Sequence, residues 1–406
     1  MDFIKRPAYL DFLIRNRDKE NITVLTGLRR SGKTTIFRSY MKWLAESGVP
    51  RNRILYFDLG QRSLRSSQSP EELISDVIRR LSPREKNYVF LDEAQDFPHF
   101  ENAADFLFLR KDIDLCLSVS GSSSVTAPLR RLLPGRCLEM TVFPLSFSEY
   151  NDASSEQSSA SEKVTAYLRG STMPGAAFFY DSRKETEGIF STVLLKDVLL
   201  QNRRFSPSLM MKILTFLSVH GGETLSFPTL SRELGRPGHP LTEHTLHRCI
   251  DGLCQSGLLQ KIEVKMPGQS DINTGSFQYY MTDPGMLGCL LEQRRLLPSL
   301  LVRHTAAVEF LRRGYSVYGT PDQSIDFITE DPGFRTLWQI LFSPSDPDAV
   351  KKADALLKAP AMYRKYILTP LPVSFPTSPE ITVTDLYSWL TAPPSFSPLF
   401  PETGKS

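Results

Sequence analysis

Cysteine is scarce in this chain, and the cysteines present form no recognisable pair. The sequence has 406 residues but only 5 cysteines, an odd number with no CxxC spacing. Most of them sit among apolar residues, which favours buried free thiols over a disulfide framework. The pattern points to a reducing compartment, and we expect the protein in the cytoplasm.

Long hydrophobic runs and a strong net charge are also missing. No stretch approaches the roughly 18 apolar residues that a membrane span needs, and the first residues do not have the pattern of a secretory signal. The net charge is only +3, which neither requires nor excludes a nucleic-acid partner. Hydrophobic residues make up 41% and charged residues 23%, a balance typical of soluble proteins with two or three domains.

The first 150 residues alternate between short apolar segments and helical patterns. Strands of four to six residues separated by helices indicate a parallel sheet covered on both faces, and thus an α/β fold class. The predicted strands cover residues 22–26, 53–59, 88–91, 115–120 and 137–142. The predicted helices between them cover residues 33–47, 70–81 and 101–110.

A phosphate-binding motif follows the first predicted strand. Residues 27–34 read GLRRSGKT and match GxxxxGK[ST] at a strand-to-helix junction. The glycines let backbone N–H groups turn toward a phosphate, Lys33 reaches the β- and γ-phosphates, and the Thr34 hydroxyl holds Mg²⁺. The pattern predicts ATP and Mg²⁺ as cofactors, with the nucleotide bound by Gly27, Arg30, Ser31, Gly32, Lys33, Thr34 and Thr35.

An acidic pair at the end of the third predicted strand supplies the other half of such a site. Residues 88–93 read YVFLDE, so an apolar strand delivers Asp92 and Glu93 to the carboxyl edge of the sheet. Asp92 is placed to bind Mg²⁺ beside Thr34, and Glu93 to polarise the attacking water. The two motifs together predict an ATPase.

Two further groups are weaker candidates for catalysis. The fourth strand ends in SGSSS, residues 120–124, whose hydroxyls could contact the γ-phosphate or the attacking water. Ser122 is the candidate among them, and a simple polar turn is the alternative. Arg130, Arg131 and Arg136 could serve as a sensor in the same chain or as a finger in a neighbouring subunit. Arg136 is the preferred candidate, although solvated surface arginines are common.

The rest of the chain divides by composition. Residues 151–162 are serine-rich and predict a flexible linker at a domain edge. Residues 163–267 read as helical, with helices at 209–220, 229–234 and 242–256 and a hairpin at 257–266. Mixed α/β patterns follow to residue 390, and residues 391–406, rich in Pro and Ser, predict a loose tail.

Taken together, these motifs resemble those of a prokaryotic AAA+-superfamily P-loop ATPase family with a C-terminal restriction-endonuclease-like domain of unknown function. The resemblance runs nearly end to end and implies an AAA+-like core, a winged-helix segment up to residue 267 and a nuclease-like domain over residues 268–390. Basic and acidic residues nearly balance over 205–265, so DNA binding by the winged helix does not follow. The stretches that carry the resemblance are residues 27–35, 91–95, 121–124, 143–150 and 195–197.

The nuclease-like part departs from the pattern of an active enzyme. Such nucleases need a helical glutamate, a strand aspartate and a Glu- or Gln-x-Lys element to bind Mg²⁺ and activate water. Asp326 and Gln339 match, but the lysine position is Leu341 and the glutamate position is Arg303, with Glu309 about one and a half turns away. We therefore expect a degenerate nuclease-like α/β domain.

Three hypotheses of function remain open. The first is an ATPase switch whose cycle acts on DNA or a DNA-bound partner through residues 205–390. The second is an ATP-gated protein-interaction or DNA-binding regulator with little hydrolysis, and the third is an ATP-gated nuclease. Oligomer formation is possible under each of them.

Overall fold

A computed structural model describes most of the chain. It covers residues 4–62, 69–154, 158–179, 181–201, 205–235, 241–269, 272–291, 296–343, 349–373 and 378–393. The chain splits into two compact units, the first comprising Met1–Phe143 with Gln255–Gly257, and the second Pro144–Cys254 with Leu258–Ser406. Within the described ranges, no helix combines the length and apolarity needed to cross a membrane.

The first unit alternates strands and helices, as the sequence predicts. Its strands are β1 (Ile22–Thr26), β2 (Ile54–Asp58), β3 (Asn87–Asp92), β4 (Ile113–Ser118) and β5 (Cys137–Thr141). Its helices are α1 (Pro7–Arg15), α2 (Lys33–Glu46), α3 (Leu59–Arg62), α4 (Pro70–Arg80), α5 (Phe100–Phe108) and α6 (Ala127–Leu132). The predicted fold class is confirmed, and the elements begin and end within three residues of the predicted positions.

These five strands form one parallel sheet in the order β2-β3-β4-β1-β5. Every residue of β1, β3 and β4 is buried, because these three strands occupy the middle of the sheet and helices cover both faces. One core cluster joins Val24 of β1 and Leu91 of β3 to Ala104 of α5. The carboxyl ends of the strands therefore meet along one edge, where the loops after β1, β3 and β4 can meet.

The second unit contains ten helices and eight strands within the described residues. The helices are α7 (Phe147–Ala153), α8 (Ala160–Arg169), α9 (Ser182–Val193), α10 (Pro207–Val219), α11 (Phe227–Leu234), α12 (Glu243–Gln255), α13 (Pro284–Leu290), α14 (Pro298–Arg312), α15 (Ala349–Lys358) and α16 (Leu386–Thr391). A π-helical stretch, Leu194–Leu199, continues α9. The strands are β6 (Leu225–Ser226), β7 (Leu259–Val264), β8 (Asn273–Met281), β9 (Ser316–Gly319), β10 (Phe327–Glu330), β11 (Arg335–Ile340), β12 (Arg364–Thr369) and β13 (Ile381–Asp385).

One mixed sheet runs through this second unit, in the order β13-β12-β11-β10-β9-β7-β8-β6. β7 and β8 form an antiparallel hairpin, and β7 also pairs with β9 in parallel. The hairpin is longer than the predicted one at residues 257–266 and crosses the expected domain boundary at residue 267. The sheet is thus continuous across that position.

The serine-rich segment is more ordered at its ends than the sequence analysis expects. α7 extends to Ala153 and α8 begins at Ala160. Both helices begin with a capping box, in which a serine and the glutamate three residues later bond each other's backbone N–H. Residues 155–157 of the predicted linker and residues 394–406 of the predicted tail lie outside the described residues. The two units divide at residues 143 and 144, ahead of the predicted linker.

Candidate nucleotide-binding site

The glycine-rich segment connects β1 to α2 at the carboxyl edge of the first sheet. β1 ends at Thr26 and α2 begins at Lys33, so residues 27–32 form the loop. Gly27 has a φ of 134°, and a Cβ there would lie 2.3 Å from the carbonyl oxygen of Val142. Only glycine tolerates both this φ and this close approach. The loop leads into the N-terminus of a 14-residue helix, a position that favours bound anions.

Lys33 is the first residue of α2, and its ammonium group is bound by this loop. Its side chain is 3% exposed, and its ammonium group donates to the carbonyl oxygens of Gly27 and Leu28 at 3.0 and 3.1 Å. It also donates to Ser120 Oγ at 3.1 Å. The cation therefore joins the loop after β1 to the residues that follow β4.

The other sequence-predicted loop residues take different positions. Gly32 is the N-cap residue of α2 and has a φ of 105°. Ser31 is buried, and its hydroxyl has no hydrogen-bond partner among the described residues. Thr35 is half-buried on the first turn of α2, and Arg30 is exposed with a φ of 66°. Within the loop, Ser31 is therefore buried and Arg30 is exposed to solvent.

Asp92 is the last residue of β3, and its carboxylate collects hydroxyl groups from three elements. Thr34 Oγ1 donates to Asp92 Oδ2 at 2.7 Å, and the Tyr56 hydroxyl of β2 donates to the same oxygen at 2.6 Å. Ser118 Oγ of β4 donates to the other carboxylate oxygen. Asp92 is 2% exposed, so these donors stabilise a carboxylate that is nearly removed from solvent.

This arrangement has the chemistry that Mg²⁺ requires. Magnesium prefers carboxylate and hydroxyl oxygens and is commonly held by one or two protein groups together with substrate phosphates and water. Thr34 and Asp92 already contact each other through such oxygens. No cluster of three or more His, Cys, Asp or Glu side chains suited to a metal occurs in the described part of the chain. Thr34 and Asp92 therefore fit an ion that a bound nucleotide would also coordinate, rather than a site in which the protein supplies every ligand.

Glu93 follows β3 in the left-handed region, with a φ of 54°. A non-glycine residue with positive φ is uncommon, and its backbone N–H is fixed here by a hydrogen bond to Ser118 Oγ at 3.0 Å. The carboxylate accepts hydrogen bonds from Gln95 Nε2 at 2.6 Å and from Ser120 Oγ at 2.9 Å. The strained backbone thus directs the side chain toward the residues after β4.

The charge of Glu93 is set by competing effects. Burial on its own would raise the pKa of this carboxyl, but the nearby cations Lys33 and Arg29 lower it. Hydrogen bonds from Gln95 and Ser120 act in the same direction, and the pKa of Glu93 lies below its ordinary value. The group is therefore ionised at neutral pH, as a general base must be.

Sequence analysis missed the contribution of Arg29. Its NH1 atom lies 3.1 Å from Glu93 Oε2, and its NH2 atom lies 3.3 Å from both carboxylate oxygens of Asp96. The side chain is only 11% exposed, whereas the neighbouring Arg30 points outward. The two arginines of the motif are alike in sequence, so only the loop conformation distinguishes them.

Ser120, and not Ser122, is the serine of this loop that meets the other site residues. Ser120 Oγ contacts both Lys33 and Glu93, and Ser120 N donates to Gln95 Oε1 at 2.8 Å. Ser122 Oγ instead contacts Ser124 Oγ at 2.7 Å and is outside this network. Ser118 and Ser120 are two residues apart and face the same side, a spacing that could have identified them.

The structure corrects the expectation that Arg136 acts within its own chain. Arg136 precedes β5, which runs parallel to β1, so it lies at the amino edge of the sheet. The phosphate loop lies at the carboxyl edge. Arg136 is half-exposed and pairs with Glu20 at 3.5 Å, while Arg130 pairs with Glu139 at 2.7 Å. A role for Arg136 in a neighbouring subunit stays a prediction.

In the second unit, Asp326 has two cationic partners. Arg303 Nε of α14 lies 3.3 Å from Asp326 Oδ1, and Lys352 Nζ of α15 lies 3.4 Å from Oδ2. The backbone N–H of Ile340 donates to Oδ2 at 2.7 Å. This carboxylate is neutralised within the fold.

The remaining nuclease-pattern residues do not complete a metal site around Asp326. Gln339 is buried and donates through Nε2 to the carbonyl oxygen of Ser324. Glu309 forms ion pairs with Arg312 and, at 2.7 Å, with Arg313. Both side chains are thus committed to the packing of the second unit.

Comparisons with known families match two segments of the chain. Residues 19–151 match the family described as an AAA domain, and residues 161–296 match a domain of unknown function, DUF8612. The first match contains the phosphate loop and the acidic pair. The parallel five-stranded sheet of the first unit is consistent with a P-loop AAA-like core.

Two uncharacterized proteins and one solved structure are similar to this chain. An uncharacterized protein of Haemophilus influenzae is 26% identical over 377 residues, covering 90% of this chain and 93% of the relative. An uncharacterized protein of Methanocaldococcus jannaschii is 29% identical over 143 residues, covering 35% of this chain and 29% of the relative. A Walker-type ATPase of Pyrococcus abyssi is similar in structure, with a TM-score of 0.51 and 16% identity, covering 71% of this chain and 96% of that one. At this identity the likeness shows the fold alone.

Proposed function

We propose that this P-loop AAA-like protein binds ATP with Mg²⁺ and hydrolyses it, and that the nucleotide state acts as a switch for the rest of the chain. One observation carries the proposal. Ser120 Oγ contacts Lys33 at 3.1 Å and Glu93 at 2.9 Å, so the phosphate-binding cation and the candidate base belong to one hydrogen-bonded chain. If the glycine loop had only a structural role, this hydrogen-bonded connection between Lys33 and Glu93 would not be required.

The phosphate loop supplies the binding groups. Lys33 exchanges its bonds to the carbonyl oxygens of Gly27 and Leu28 for bonds to phosphate oxygens, which carry more negative charge. The N-terminus of α2 adds favourable backbone dipoles. Thr34 and Asp92 would hold Mg²⁺, which when bound neutralises charge on the phosphates.

Glu93 provides the base. Its ionised carboxylate accepts a proton from water as the water oxygen bonds to the γ-phosphorus and the bond from that phosphorus to the β,γ-bridging oxygen breaks. The products are ADP and inorganic phosphate, with the proton carried first by Glu93. Because Ser120, Gln95 and Arg29 contact the carboxylate, the side chain that would position the attacking water is held in place before the reaction begins.

A neighbouring copy could add an arginine to this site. Arg136 is half-exposed at the edge of the sheet opposite the phosphate loop, where a second subunit could reach it. Arginine fingers supplied in trans are a known way to accelerate phosphoryl transfer. On this proposal the protein acts as an oligomer and the isolated chain is slow.

Residues 207–281 support a winged-helix assignment. The order α10, β6, α11, α12, β7, β8 places three helices before a hairpin, and β6 pairs with β8 at one end of the mixed sheet. α12 exposes Glu243 and Asp251 as well as Arg248, which makes it less basic than a typical DNA-reading helix. A protein partner is therefore the better candidate, with DNA as the alternative.

The nuclease-like assignment of residues 268–390 rests on α14, β9–β11, α15 and β12, a helix, three strands, a helix and a strand. We propose that this part has a packing or recognition role. The support is that the carboxylate oxygens of Asp326 already contact Arg303, Lys352 and the backbone N–H of Ile340. Nicking of supercoiled DNA with Mg²⁺, abolished by Asp326→Asn, would favour the nuclease hypothesis instead.

The proposal is tested by equilibrium binding of ATP in the presence of Mg²⁺. Wild type is expected to bind ATP, and Lys33→Ala to lose affinity by about 100-fold, since it removes charge-assisted bonds to two phosphates. Lys42→Ala is the matched control, because Lys42 is exposed on α2 and pairs with Glu46 on the surface. Equal affinity of wild type and Lys33→Ala would contradict ATP binding at this loop.

A further inference from the structure

Arg29 has two chemically different partners on separate nitrogen atoms. NH1 contacts Glu93, the candidate base, at 3.1 Å, while NH2 contacts both oxygens of Asp96 at 3.3 Å. A planar guanidinium can therefore exchange the partner of one nitrogen while the other remains anchored. Lysine could not do this, because its ammonium is a single point charge.

The backbone of Arg29 belongs to the phosphate loop itself. It lies two residues after Gly27 and four before Lys33, and its side chain is 11% exposed. Glu93, the partner of NH1, is tied through Ser120 to Lys33. Arg29, Glu93, Ser120 and Lys33 thus form one connected set around the place where the γ-phosphate is expected.

We propose that Arg29 is the γ-phosphate sensor of this chain: when ATP binds, its NH1 atom exchanges Glu93 for a γ-phosphate oxygen, while Asp96 keeps the guanidinium in place. The inference rests on the proposed ATP binding. The exchange has two effects. It adds a positive charge where negative charge develops during phosphoryl transfer, and it removes one competitor for the lone pairs of Glu93.

With this role, Arg29 distinguishes ATP from ADP by its contact with the γ-phosphate. ADP offers no γ-phosphate, so Arg29 stays on Glu93 when ADP is bound. Only ATP gains the new charge-assisted contact, and the preference for ATP over ADP depends on this side chain. A purely structural Arg29 would instead support both nucleotides equally.

The test measures the affinities for ADP and for a non-hydrolysable ATP analogue by calorimetry, both with Mg²⁺. We expect Arg29→Met to weaken analogue binding by about 10-fold, the size of one charge-assisted hydrogen bond, and to change ADP binding by less than about 2-fold. Arg29→Lys keeps the charge and is expected to restore part of the preference. Arg110→Met is the matched control, because Arg110 pairs with Asp112 in the same unit but outside the site.

Phosphate release supplies a second readout, in which Arg29→Met lowers kcat by at least about 100-fold. The assignment is overturned if the analogue and ADP lose affinity together in Arg29→Met, if neither affinity changes, or if the variant hydrolyses ATP faster than wild type. If wild type binds the analogue and ADP but Arg29→Met keeps the wild-type ratio, only this inference fails. If wild type binds no nucleotide, the proposed function fails with it.

Discussion

The first unit and the second each place acidic side chains among hydrogen-bond donors, but the donors differ in kind. In the first unit Asp92 accepts from three hydroxyl groups, whereas Glu93 pairs with Arg29 and is linked through Ser120 to Lys33. Lys33 in turn donates to backbone carbonyl oxygens of the phosphate loop. Asp326 meets Arg303 and Lys352, which project from helices, and a backbone N–H.

The difference lies in whether the partners can be exchanged. A lysine bonded to neutral carbonyl oxygens gains when phosphate replaces them, because charge-assisted bonds are about twice as strong as neutral ones. A guanidinium already paired with a carboxylate gains nothing by leaving it, unless another anion takes its place. On the proposed function the first site exchanges partners when a ligand binds, whereas the second holds its carboxylate in ion pairs within the fold.

The largest expected effect comes from reversing a charge in the second site. Arg303→Glu places a second carboxylate beside Asp326 and removes its partner, so we expect a loss of about 3 kcal/mol in the free energy of unfolding. Mn²⁺ should recover part of this loss, because two carboxylates can bind a divalent ion. Urea unfolding with and without Mn²⁺ measures both effects, with Arg303→Gln as the control that should not respond to the ion. An unchanged stability would show that the ion pair is not what holds this region together.

A further aspartate, Asp114 of β4, extends the comparison because it is buried and has another carboxylate, that of Asp18, among its charged neighbours. It accepts a hydrogen bond from the backbone N–H of Asp18, and burial raises its pKa to about 6. The folded protein therefore holds this proton more tightly than the unfolded chain. The contribution of Asp114 to stability is full below pH about 4 and is lost as the pH rises toward 6.

Asp114→Asn removes this pH-dependent loss while keeping a hydrogen-bond acceptor. Relative to wild type, the variant should be about 3 kcal/mol more stable at pH 8 and nearly equal at pH 4, from a pKa shift of about two units. Denaturant melts across this pH range test the expectation. A stability difference that is the same at both pH values would show that folding does not raise the pKa of Asp114.

Ser120 and Ser122 form a matched pair for the first site. Ser120→Ala breaks the link between Lys33 and Glu93, and we expect kcat to fall about 10-fold with little change in ADP affinity. Ser122→Ala should change kcat by less than about 2-fold, since Ser122 contacts Ser124. The reverse result would restore the prediction made from sequence.

The smallest expected effect is that of Tyr56→Phe. The hydroxyl of Tyr56 donates to Asp92 at 2.6 Å, and its loss should cost about 1 kcal/mol of stability, the typical contribution of one hydrogen bond. Nucleotide affinity should change by less than about 3-fold, because Thr34 and Ser118 remain as donors. A loss of ATP binding would show that Tyr56 positions the ligand directly.

The sequence predicts the first sheet and its two motifs well because both depend on local patterns. A buried strand, a glycine loop and a helix follow one another within residues 22–46, and the acidic pair ends another apolar strand. The choice between Arg29 and Arg30, or between Ser120 and Ser122, depends on backbone angles and on contacts between distant segments. Tyr56 was missed for the same reason, since only the pairing of β2 with β3 brings it beside Asp92.

Two other expectations could have been improved from the sequence alone. Arg136 precedes a parallel strand, and in a parallel sheet this places it away from the loop that follows β1. In the serine-rich segment, Ser159 and Glu162 have the spacing of a capping box, so a helix start was encoded there.

Mg²⁺-dependent release of phosphate from ATP by wild type and Glu93→Gln tests the central claim most directly. Glu46→Gln serves as the control, because Glu46 is an exposed residue of α2 that pairs with Lys42. Wild type should release phosphate, with duplex DNA or a partner changing the rate if the switch acts on them. Glu93→Gln should bind ATP yet hydrolyse it about 100-fold to 1,000-fold more slowly, the loss expected for a general base. Equal rates for wild type and Glu93→Gln would contradict the assignment of Glu93, and wild type that binds ATP without releasing phosphate under any of these conditions would contradict hydrolysis by this chain.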